Sequence, residues 1–272
     1  MAHHADPGLA SMIARDPRHV FHCANLATGI LLGCGAGHLL PFAPAAGGAA
    51  ALQAALTAAC VCPRCQWVGA NVTRGPARGA VALTFDDGPD PALTPWILAT
   101  LRAHKARASF FCIGNKARRY PHLIRAIRDS GHSVENHSDR HRHSFAVLHH
   151  AVIAREVRTA QQTLTDLAGT APRFFRAPLG FRNPWLAPVL AECQLRYVSW
   201  SRRGFDTVDR RPAHILGRLL TDLRDGDILL LHDGKGACDR RGRPVLHTVL
   251  PGLLENVTGR GLAVVDLPTL LA

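Results

Sequence analysis

Two patterns of hydrophobic and polar residues divide the chain near residue 78. Between Arg18 and Arg64 there is no Asp, Glu, Lys or Arg, and alanine, glycine and leucine dominate. From residue 79 onward, short apolar runs alternate with longer amphipathic stretches. With 272 residues the chain can form one large domain or two small ones, and either can bury a core.

Seven short apolar runs predict strands in the second part: GAVALTF, ASFFCIG, HSVEN, RFFRAP, LRYVSW, DILLLHD and LAVVDL. They do not alternate strictly between apolar and polar residues, which is typical of parallel strands covered by helices. The stretches between them are helix-like, and residues 150–168 repeat apolar positions every 3.6 residues. The pattern therefore predicts an α/β fold: a (β/α) barrel of about seven strands, smaller than the usual eightfold one.

The uncharged first part predicts an apolar helical hairpin. A membrane span needs about 20 mostly apolar residues, and residues 20–62 just accommodate two such segments. A cleavable signal peptide fits poorly, because the apolar part begins late and continues too long. We expect a tail at 1–19, a membrane hairpin and linker at 20–78, and a domain at 79–272. A soluble alanine-rich hairpin is the alternative.

The number of spans decides on which side of a membrane the domain would lie. Arg15 and Arg18 flank one end of the apolar part, and Arg64, Arg74 and Arg78 flank the other. Two spans would place both basic ends and the domain on the cytoplasmic side, whereas one span would place the domain on the far side. The sequence leaves both arrangements open.

The net charge of +12 changes this picture little. Among the 32 basic residues only Lys105, Lys116 and Lys235 are lysines, and the arginines are scattered. Such an excess is typical of codon use in a GC-rich genome; attraction to an anionic membrane or substrate is the alternative. No helix-turn-helix, RNA-binding or paired zinc-finger signature is present, so we expect no nucleic-acid partner.

The eight cysteines form no regular framework. Cys60, Cys62 and Cys65 resemble part of a zinc knuckle, but a fourth ligand at the usual spacing is missing. We interpret them as small apolar residues at the end of a helix.

Polar residues with catalytic chemistry follow the predicted strands. They are Asp86, Asp87, His137, His141, Arg176, Asp206 and His232. In barrels of this kind the reactive side chains collect where strands end and loops begin. The sequence therefore predicts an active site at the carboxyl edge of the sheet.

Asp86 and Asp87 are adjacent in TFDDGP. Neighbours in a strand point to opposite faces, so the turn at Gly88-Pro89 is needed to bring both carboxylates to one side. Like charges this close are costly unless a cation lies beside them. A plain turn is the alternative for this motif alone.

His137 and His141 in HSDRH favour the interpretation that a cation binds here over that of a plain turn. Their i, i+4 spacing predicts a helical turn with both imidazoles on one face, which is a common way to hold a metal. Two histidines and a carboxylate form a catalytic zinc set with an open position for water. The second carboxylate would take a proton from that water. His143 is the weaker candidate ligand.

Three further residues complete a hydrolytic site. Arg176 would hold the catalytic base, and His232 would donate a proton to a leaving amine. Asp206 would orient the His232 imidazole. Each is a weak signal alone, and the order of the residues supports the assignment.

Four motifs, taken together, resemble the polysaccharide deacetylase family of the NodB-homology type, carbohydrate esterase family 4. They are TFDDG at 84–88, HSDRH at 137–141, RAPLG at 176–180 and LLH at 230–232. The likeness covers about residues 79–270. It implies a distorted (β/α) barrel and a divalent metal, usually Zn²⁺, with Co²⁺, Ni²⁺ or Mn²⁺ as alternatives. It also implies removal of N-acetyl groups from amino sugars of a polysaccharide, oligosaccharide or lipid-linked glycan.

The resemblance assigns a role to each matching residue. Asp86 is the general base, Arg176 holds it, and Asp206 tunes the general acid His232. The metal ligands are Asp87, His137 and His141. The substrate-binding residues are Pro178, Leu179, Gly180 and Leu230; the backbone N–H of Leu179 faces the oxyanion, and Leu230 shapes the acetyl pocket.

Two departures from the family pattern concern the substrate. Many members have Tyr where Leu179 stands, and the usual Asp-Trp is Asp206-Thr207 here. The missing tryptophan removes an aromatic groove wall and disfavours a long chitin chain.

A looser likeness of RFFRAPLGFRNP and SRRGFDT to membrane-attached bacterial members implies the bacterial inner membrane. An O-acetyl esterase using the same site and a non-catalytic, membrane-tethered glycan-binding module are the alternatives.

Overall fold

The computed structural model describes residues 17–37 and 42–272. Most of the predicted tail, together with Arg15, lies outside the described residues. Two N-terminal helices precede a parallel sheet flanked by helices.

The N-terminal helices α1 (Pro17–Ala36) and α2 (Phe42–Val61) pack against each other. Nε2 of Gln53 on α2 donates hydrogen bonds to Oδ1 of Asn25 at 3.0 Å and to Oγ1 of Thr28 at 3.1 Å. Within the described residues, Ala43–Val61 is long and apolar enough to cross a membrane, and most of its surface is exposed; the apolar part of α1, Ala24–Ala36, is shorter.

Eight parallel strands form the sheet. They are β1 (Ala80–Gly88), β2 (Ser109–Cys112), β3 (Ser133–Asn136), β4 (Phe174–Phe175), β5 (Arg196–Tyr197), β6 (Arg202–Arg203), β7 (Ile228–His232) and β8 (Ala263–Val265). Their order is β5-β4-β3-β2-β1-β7-β6, and β8 pairs with the start of β1. All seven predicted strands form. The pattern missed β6, because two successive arginines give no apolar signal.

Eight helices follow β1 within the described range 42–272; all but the last cover the outer face of this sheet, and the last packs with the inner cluster that contains Ala80 and Ala82. The eight are α3 (Thr94–Ala103), α4 (Gly114–Arg119), α5 (Pro121–Asp129), α6 (His150–Ala168), α7 (Leu186–Glu192), α8 (Pro212–Leu220), α9 (Leu246–Gly259) and α10 (Leu267–Leu270), with 3₁₀ turns at Phe145–Val147 and Pro178–Gly180. The amphipathic helix predicted at 150–168 is confirmed as α6. Its residues Ile153, Val157, Ala160 and Leu164 are fully buried.

The sheet curls into a distorted barrel. β5 and β6 are the two edge strands of the sheet. β5 ends at Tyr197 and β6 begins at Arg202, so the connection between them can span no more than about 17 Å. Val72 of the linker forms a parallel bridge with Val198, which follows β5. The predicted barrel-like architecture is confirmed.

Alternation along the strands separates two cores. On β1, Val81, Leu83 and Phe85 pack with the outer helices, whereas Ala80 and Ala82 pack inside the barrel. Because side chains alternate, Thr84 and Asp86 share the inner face with Ala82. Asp86 lies opposite His232 in the β1–β7 register. The barrel interior therefore leads directly to the predicted site.

The linker after α2 packs on the barrel. The backbone N–H of Val72 donates to the carbonyl of Tyr197 at 3.0 Å, and Arg74 pairs with Asp227 at 2.7 Å. Cys60, Cys62 and Cys65 lie at the junction as free thiols. In the described part of the chain, they are not in a cluster with metal-ligand spacing.

Candidate active site

The backbone at Asp87 explains how two adjacent carboxylates reach the same side. β1 continues to Gly88, but its register with β2 is irregular between Asp86 and Gly88. Asp87 has φ 72°, a left-handed conformation that aspartate tolerates better than most residues. Such a bulge re-aims a side chain. The predicted turn therefore occurs at Asp87 itself, one residue earlier than expected.

Asp87, His137 and His141 form a buried cluster. Oδ1 of Asp87 lies 3.5 Å from Nε2 of His137 and 2.9 Å from Nε2 of His141. The possible ligand atoms of the three residues all lie within 4.8 Å of one another. Ligand atoms around a tetrahedral Zn²⁺ with bonds of about 2.0–2.1 Å are about 3.3 Å apart. The cluster therefore fits a small divalent cation after a small inward movement of the ligands.

The helical turn predicted at 137–141 is wrong. The segment is a loop after β3, and both Ser138 (φ 63°) and His141 (φ 50°) are left-handed. Oδ1 of Asn136 accepts from the N–H of Ser138 at 3.0 Å, and Oγ of Ser138 accepts from the N–H of His141 at 3.1 Å. These side-chain hydrogen bonds replace helical ones, and they bring the two imidazole centroids within 4.8 Å.

The electrostatics of the cluster favour a cation. Nδ1 of His137 lies 2.8 Å from the carbonyl oxygen of Arg176, so the ring donates there and turns Nε2 toward Asp87. Burial would raise the pKa of Asp87, but the hydrogen bonds and charges of the two histidines outweigh it and hold the pKa far below its usual range. Burial lowers the pKa of His141 despite Asp87, so its neutral ring can act as a ligand.

Arg176 holds Asp86 from inside the barrel. Its fully buried guanidinium donates from Nη1 to Oδ1 of Asp86 at 2.7 Å and to Oγ1 of Thr84 at 2.8 Å. Nη2 donates to the carbonyl of Ser199 at 2.8 Å, and the guanidinium stacks 4.1 Å from the centre of the Phe111 ring. The predicted pairing of Arg176 with Asp86 is therefore present.

His232 and Asp206 form a second buried pair. Oδ1 of Asp206 lies 3.0 Å from Nδ1 of His232, and Oδ2 accepts from the His232 backbone N–H at 2.8 Å. Burial would lower the pKa of His232, but the Asp206 carboxylate more than compensates and raises it. Asp206 thus orients the imidazole and favours its protonated form.

The predicted substrate-binding residues lie on two elements. Pro178, Leu179 and Gly180 form a 3₁₀ turn after β4, in which Leu179 is left-handed (φ 60°) and 41% exposed. Leu230 is buried on β7, two register positions from the Asp86–His232 pair and therefore on the same face. Their assigned roles stay predictions, as do those of the other site residues.

The sequence analysis missed Lys116 and Asp233. Nζ of Lys116 donates to the backbone carbonyl of Asp87 at 2.7 Å and so supports its left-handed conformation. Asp233 accepts from Oγ1 of Thr94 at 2.7 Å, and burial raises its pKa to about 7. The scarcity of lysine in this arginine-rich chain could have singled out Lys116.

Comparison with known proteins identifies the family. A family profile described as Polysaccharide deacetylase matches residues 73–198. Chitooligosaccharide deacetylase from Azorhizobium caulinodans is 33% identical over 198 residues, which cover 70% of this chain and 94% of the relative. Peptidoglycan-N-acetylglucosamine deacetylase from Bacillus cereus is 32% identical over 196 residues, covering 71% and 68%.

A solved structure supports the same family assignment. The family 4 carbohydrate esterase from Streptomyces lividans, in complex with acetate, superposes with a TM-score of 0.62 and 31% identity, covering 70% of this chain and 93% of its own. The fold and site are thus those of a carbohydrate-active hydrolase. The chain belongs to the polysaccharide deacetylase family.

Proposed function

We propose that this protein is a divalent-metal-dependent N-deacetylase that acts on N-acetylated amino sugars of a glycan. The observation that carries this proposal is the convergence of Asp87, His137 and His141 beside Asp86 and His232. The names of the relatives, chitooligosaccharide and peptidoglycan N-acetylglucosamine deacetylases, support the substrate class.

The proposed metal site consists of Asp87, His137 and His141, and Zn²⁺ suits this donor set best. A bound divalent ion supplies Lewis-acid chemistry: it polarises a carbonyl oxygen and lowers the pKa of a coordinated water from about 15.7 toward about 7. Lys116 supports Asp87 through its carbonyl, and the carbonyl of Arg176 fixes the His137 ring.

Asp86 is proposed to take the proton from the attacking water. Its Oδ1 is occupied by Arg176, whereas Oδ2 lies 3.9 Å from Nε2 of His137, on the side of the metal cluster. This division keeps one oxygen anchored and leaves the other directed toward the nucleophile.

His232 is proposed to return a proton to the leaving amine. Asp206 binds Nδ1 of His232, so Nε2 is the nitrogen left to face the substrate. Leu230 would contact the acetyl methyl, and the backbone N–H of Leu179 would stabilise the developing oxyanion. Pro178 and Gly180 would hold that turn in place.

Acetate release tests the proposal. The full chain is stripped with a chelator, reloaded with Zn²⁺ or Co²⁺, and incubated with N-acetylglucosamine oligomers. We expect acetate only from the metal-loaded protein. Absence of acetate from oligomers, peptidoglycan fragments and lipid-linked amino sugars alike would refute the enzymatic proposal and favour the glycan-binding alternative.

Ester hydrolysis by the same site is the second candidate function. Attack by an activated water and protonation of the leaving group serve esters as well as amides. Comparing acetate release from N-acetylated and O-acetylated versions of one model sugar separates the two activities.

We also propose that the apolar hairpin attaches the enzyme to the bacterial inner membrane. The length, apolar character and exposure of Ala43–Val61 support this. Fractionation of cells expressing the full chain, followed by carbonate extraction, tests it: recovery in the soluble fraction would refute it. Protease protection of a C-terminal fusion would then assign the side.

A further inference from the structure

Two shallow, adjoining cavities lie where the loops after β6 and β7 meet α8. The first, of about 660 Å³, is lined by residues that include Arg210, Arg211 and Arg240. The second, of about 610 Å³, is lined by residues that include Arg64, Arg202 and Arg203. Phe205 and Arg218 line both. We call the two cavities together the arginine cleft.

The positive charge of the arginine cleft is only partly balanced. Its acidic lining residue, Asp209, pairs with Arg218 at 2.8 Å and with Arg211 at 3.0 Å. Arg202 pairs with Asp227 at 3.5 Å. Among the described residues, no carboxylate forms an ion pair with the other four cleft arginines: Arg64, Arg203, Arg210 and Arg240. A concave surface lined by one sign of charge concentrates the opposite ion.

Phe205 provides an independent sign of ligand binding in the cleft. It is 43% exposed and left-handed, with φ 60°. That conformation is strained for a bulky residue, and such strain clusters at functional sites. Arg203 and Arg218 lie 4.8 and 5.6 Å from the centre of its ring. The exposed Phe205 ring therefore holds two guanidinium groups at the surface of the cleft, where the anion of a charged sugar can pair with them.

Two residues of the arginine cleft are neighbours of the proposed catalytic residues in the chain or in the sheet. Phe205 directly precedes Asp206, whose carboxylate binds His232. Arg203 on β6 lies opposite Leu230 on β7, two residues before His232. A ligand seated on Phe205 would thus extend toward the group that we propose protonates the leaving amine.

We propose that the arginine cleft binds an oxyanion, a phosphate or carboxylate, carried by the amino-sugar substrate or its carrier. The inference rests on the proposed function for the reacting sugar, and it narrows the substrate class to anionic glycans. Arginine is suited to this role because its planar fork of donors matches the oxygens of phosphates and carboxylates.

Direct binding tests the inference without turnover. Titration calorimetry on the metal-free full chain compares N-acetylglucosamine, N-acetylglucosamine 1-phosphate, N-acetylmuramic acid and inorganic phosphate. Metal-free protein is used because phosphate binds metal ions. We expect at least one anionic sugar to bind at least about tenfold more tightly than N-acetylglucosamine, with an affinity that falls as salt rises. Comparing N-acetylglucosamine 1-phosphate with N-acetylmuramic acid shows whether the cleft prefers a phosphate or a carboxylate.

Arg203→Gln and Arg240→Gln remove cleft charges that have no carboxylate partner among the described residues. We expect each variant to lose most of the preference for the anionic sugar. Arg125→Gln, at an exposed position on α5, is the matched control and should keep the preference. Arg240 is exposed, so its variant should fold even if Arg203→Gln does not.

Several outcomes would overturn the inference. They are equal affinity for neutral and anionic sugars, an equal loss in the Arg125 control, and inorganic phosphate binding as tightly as the sugar phosphate. Kinetic measurements distinguish failure of the cleft proposal from failure of the proposed deacetylase function. Acetate release with the same kcat/KM from neutral and anionic oligomers would refute the cleft proposal alone.

Discussion

Nη1 of Arg176 lies 2.7 Å from Oδ1 of Asp86, and both side chains are buried in the barrel. The aromatic face of Phe111 and the hydroxyl of Thr84 fix the guanidinium from other sides. Breaking a buried ion pair by removing one partner is costly, because the other charge is left uncompensated. The pair therefore fixes Asp86 in one position next to the cluster of Asp87, His137 and His141.

Asp86→Asn tests the role of the base. The amide keeps the size of the side chain but cannot accept a proton, so we expect kcat to fall about 10²- to 10⁴-fold. The metal ligands are unchanged, so bound metal, measured by atomic emission, should stay near one ion per chain. Turnover comparable to wild type would remove Asp86 from this role.

His141→Ala tests the metal cluster against its neighbour His143, whose ring centroid lies 5.9 Å from that of His141. Loss of one of three ligands should weaken Zn²⁺ binding by at least about 100-fold, because removal of even outer partners costs about 10- to 100-fold. His143→Ala, at an exposed position, should bind Zn²⁺ normally. Equal metal loss in both variants would contradict the assigned ligand set.

Asp206→Asn tests the proton donor through the pH–rate profile. The Asp206 carboxylate raises the pKa of His232, and activity should fall as pH rises through that pKa because the acid loses its proton. Removing the carboxylate lowers the pKa, so the high-pH limb of kcat should move to lower pH. The rate loss should be larger at pH 8 than at pH 6. A uniform loss at all pH values would indicate a structural role instead.

Lys116→Met tests the support of the Asp87 backbone. The variant removes the donor to the Asp87 carbonyl while keeping much of the side-chain volume. We expect metal affinity and kcat to fall by about tenfold. Lys105→Met is the control, since Lys105 is exposed and lies outside the candidate site. An unchanged metal affinity in Lys116→Met would show that Asp87 keeps its conformation unaided.

Glu135→Gln tests a buried carboxyl that lies outside the predicted site. Burial raises its pKa from 4.5 to about 7 despite hydrogen bonds from the backbone of Arg173 and Phe174. The folded wild type therefore binds an extra proton between these values, and the contribution of Glu135 to stability falls as pH rises through this window. The variant has no such loss.

The free energy of unfolding of Glu135→Gln should thus exceed that of the wild type by roughly 3 kcal/mol at pH 8, and by much less at pH 4.5. Urea denaturation at the two pH values measures this. Ser133, a neighbour of Glu135, can accept from the new amide. A difference that does not depend on pH would show that Glu135 titrates normally.

The sequence by itself determined the strands, the outer helices and the chemical identity of the site. Each strand needed an apolar run to bury both faces, and catalytic residues needed positions at strand ends. Asp86, Asp87 and His232 could therefore be found from the local pattern. The two-residue strand β6 could not, because its pairing with β7 comes from the curl of the sheet and not from its own residues.

Only the tertiary structure decided how the residues meet. The spacing of His137 and His141 predicted a helical turn, but backbone N–H groups donate hydrogen bonds to the side chains of Asn136 and Ser138 and stabilise a loop instead. The support of Asp87 by Lys116 and the arginine cleft join residues far apart in the chain. Local sequence patterns indicate which residues form helices or strands and which face is buried. Contacts between distant residues depend instead on strand order and loop geometry, which form only when the barrel closes.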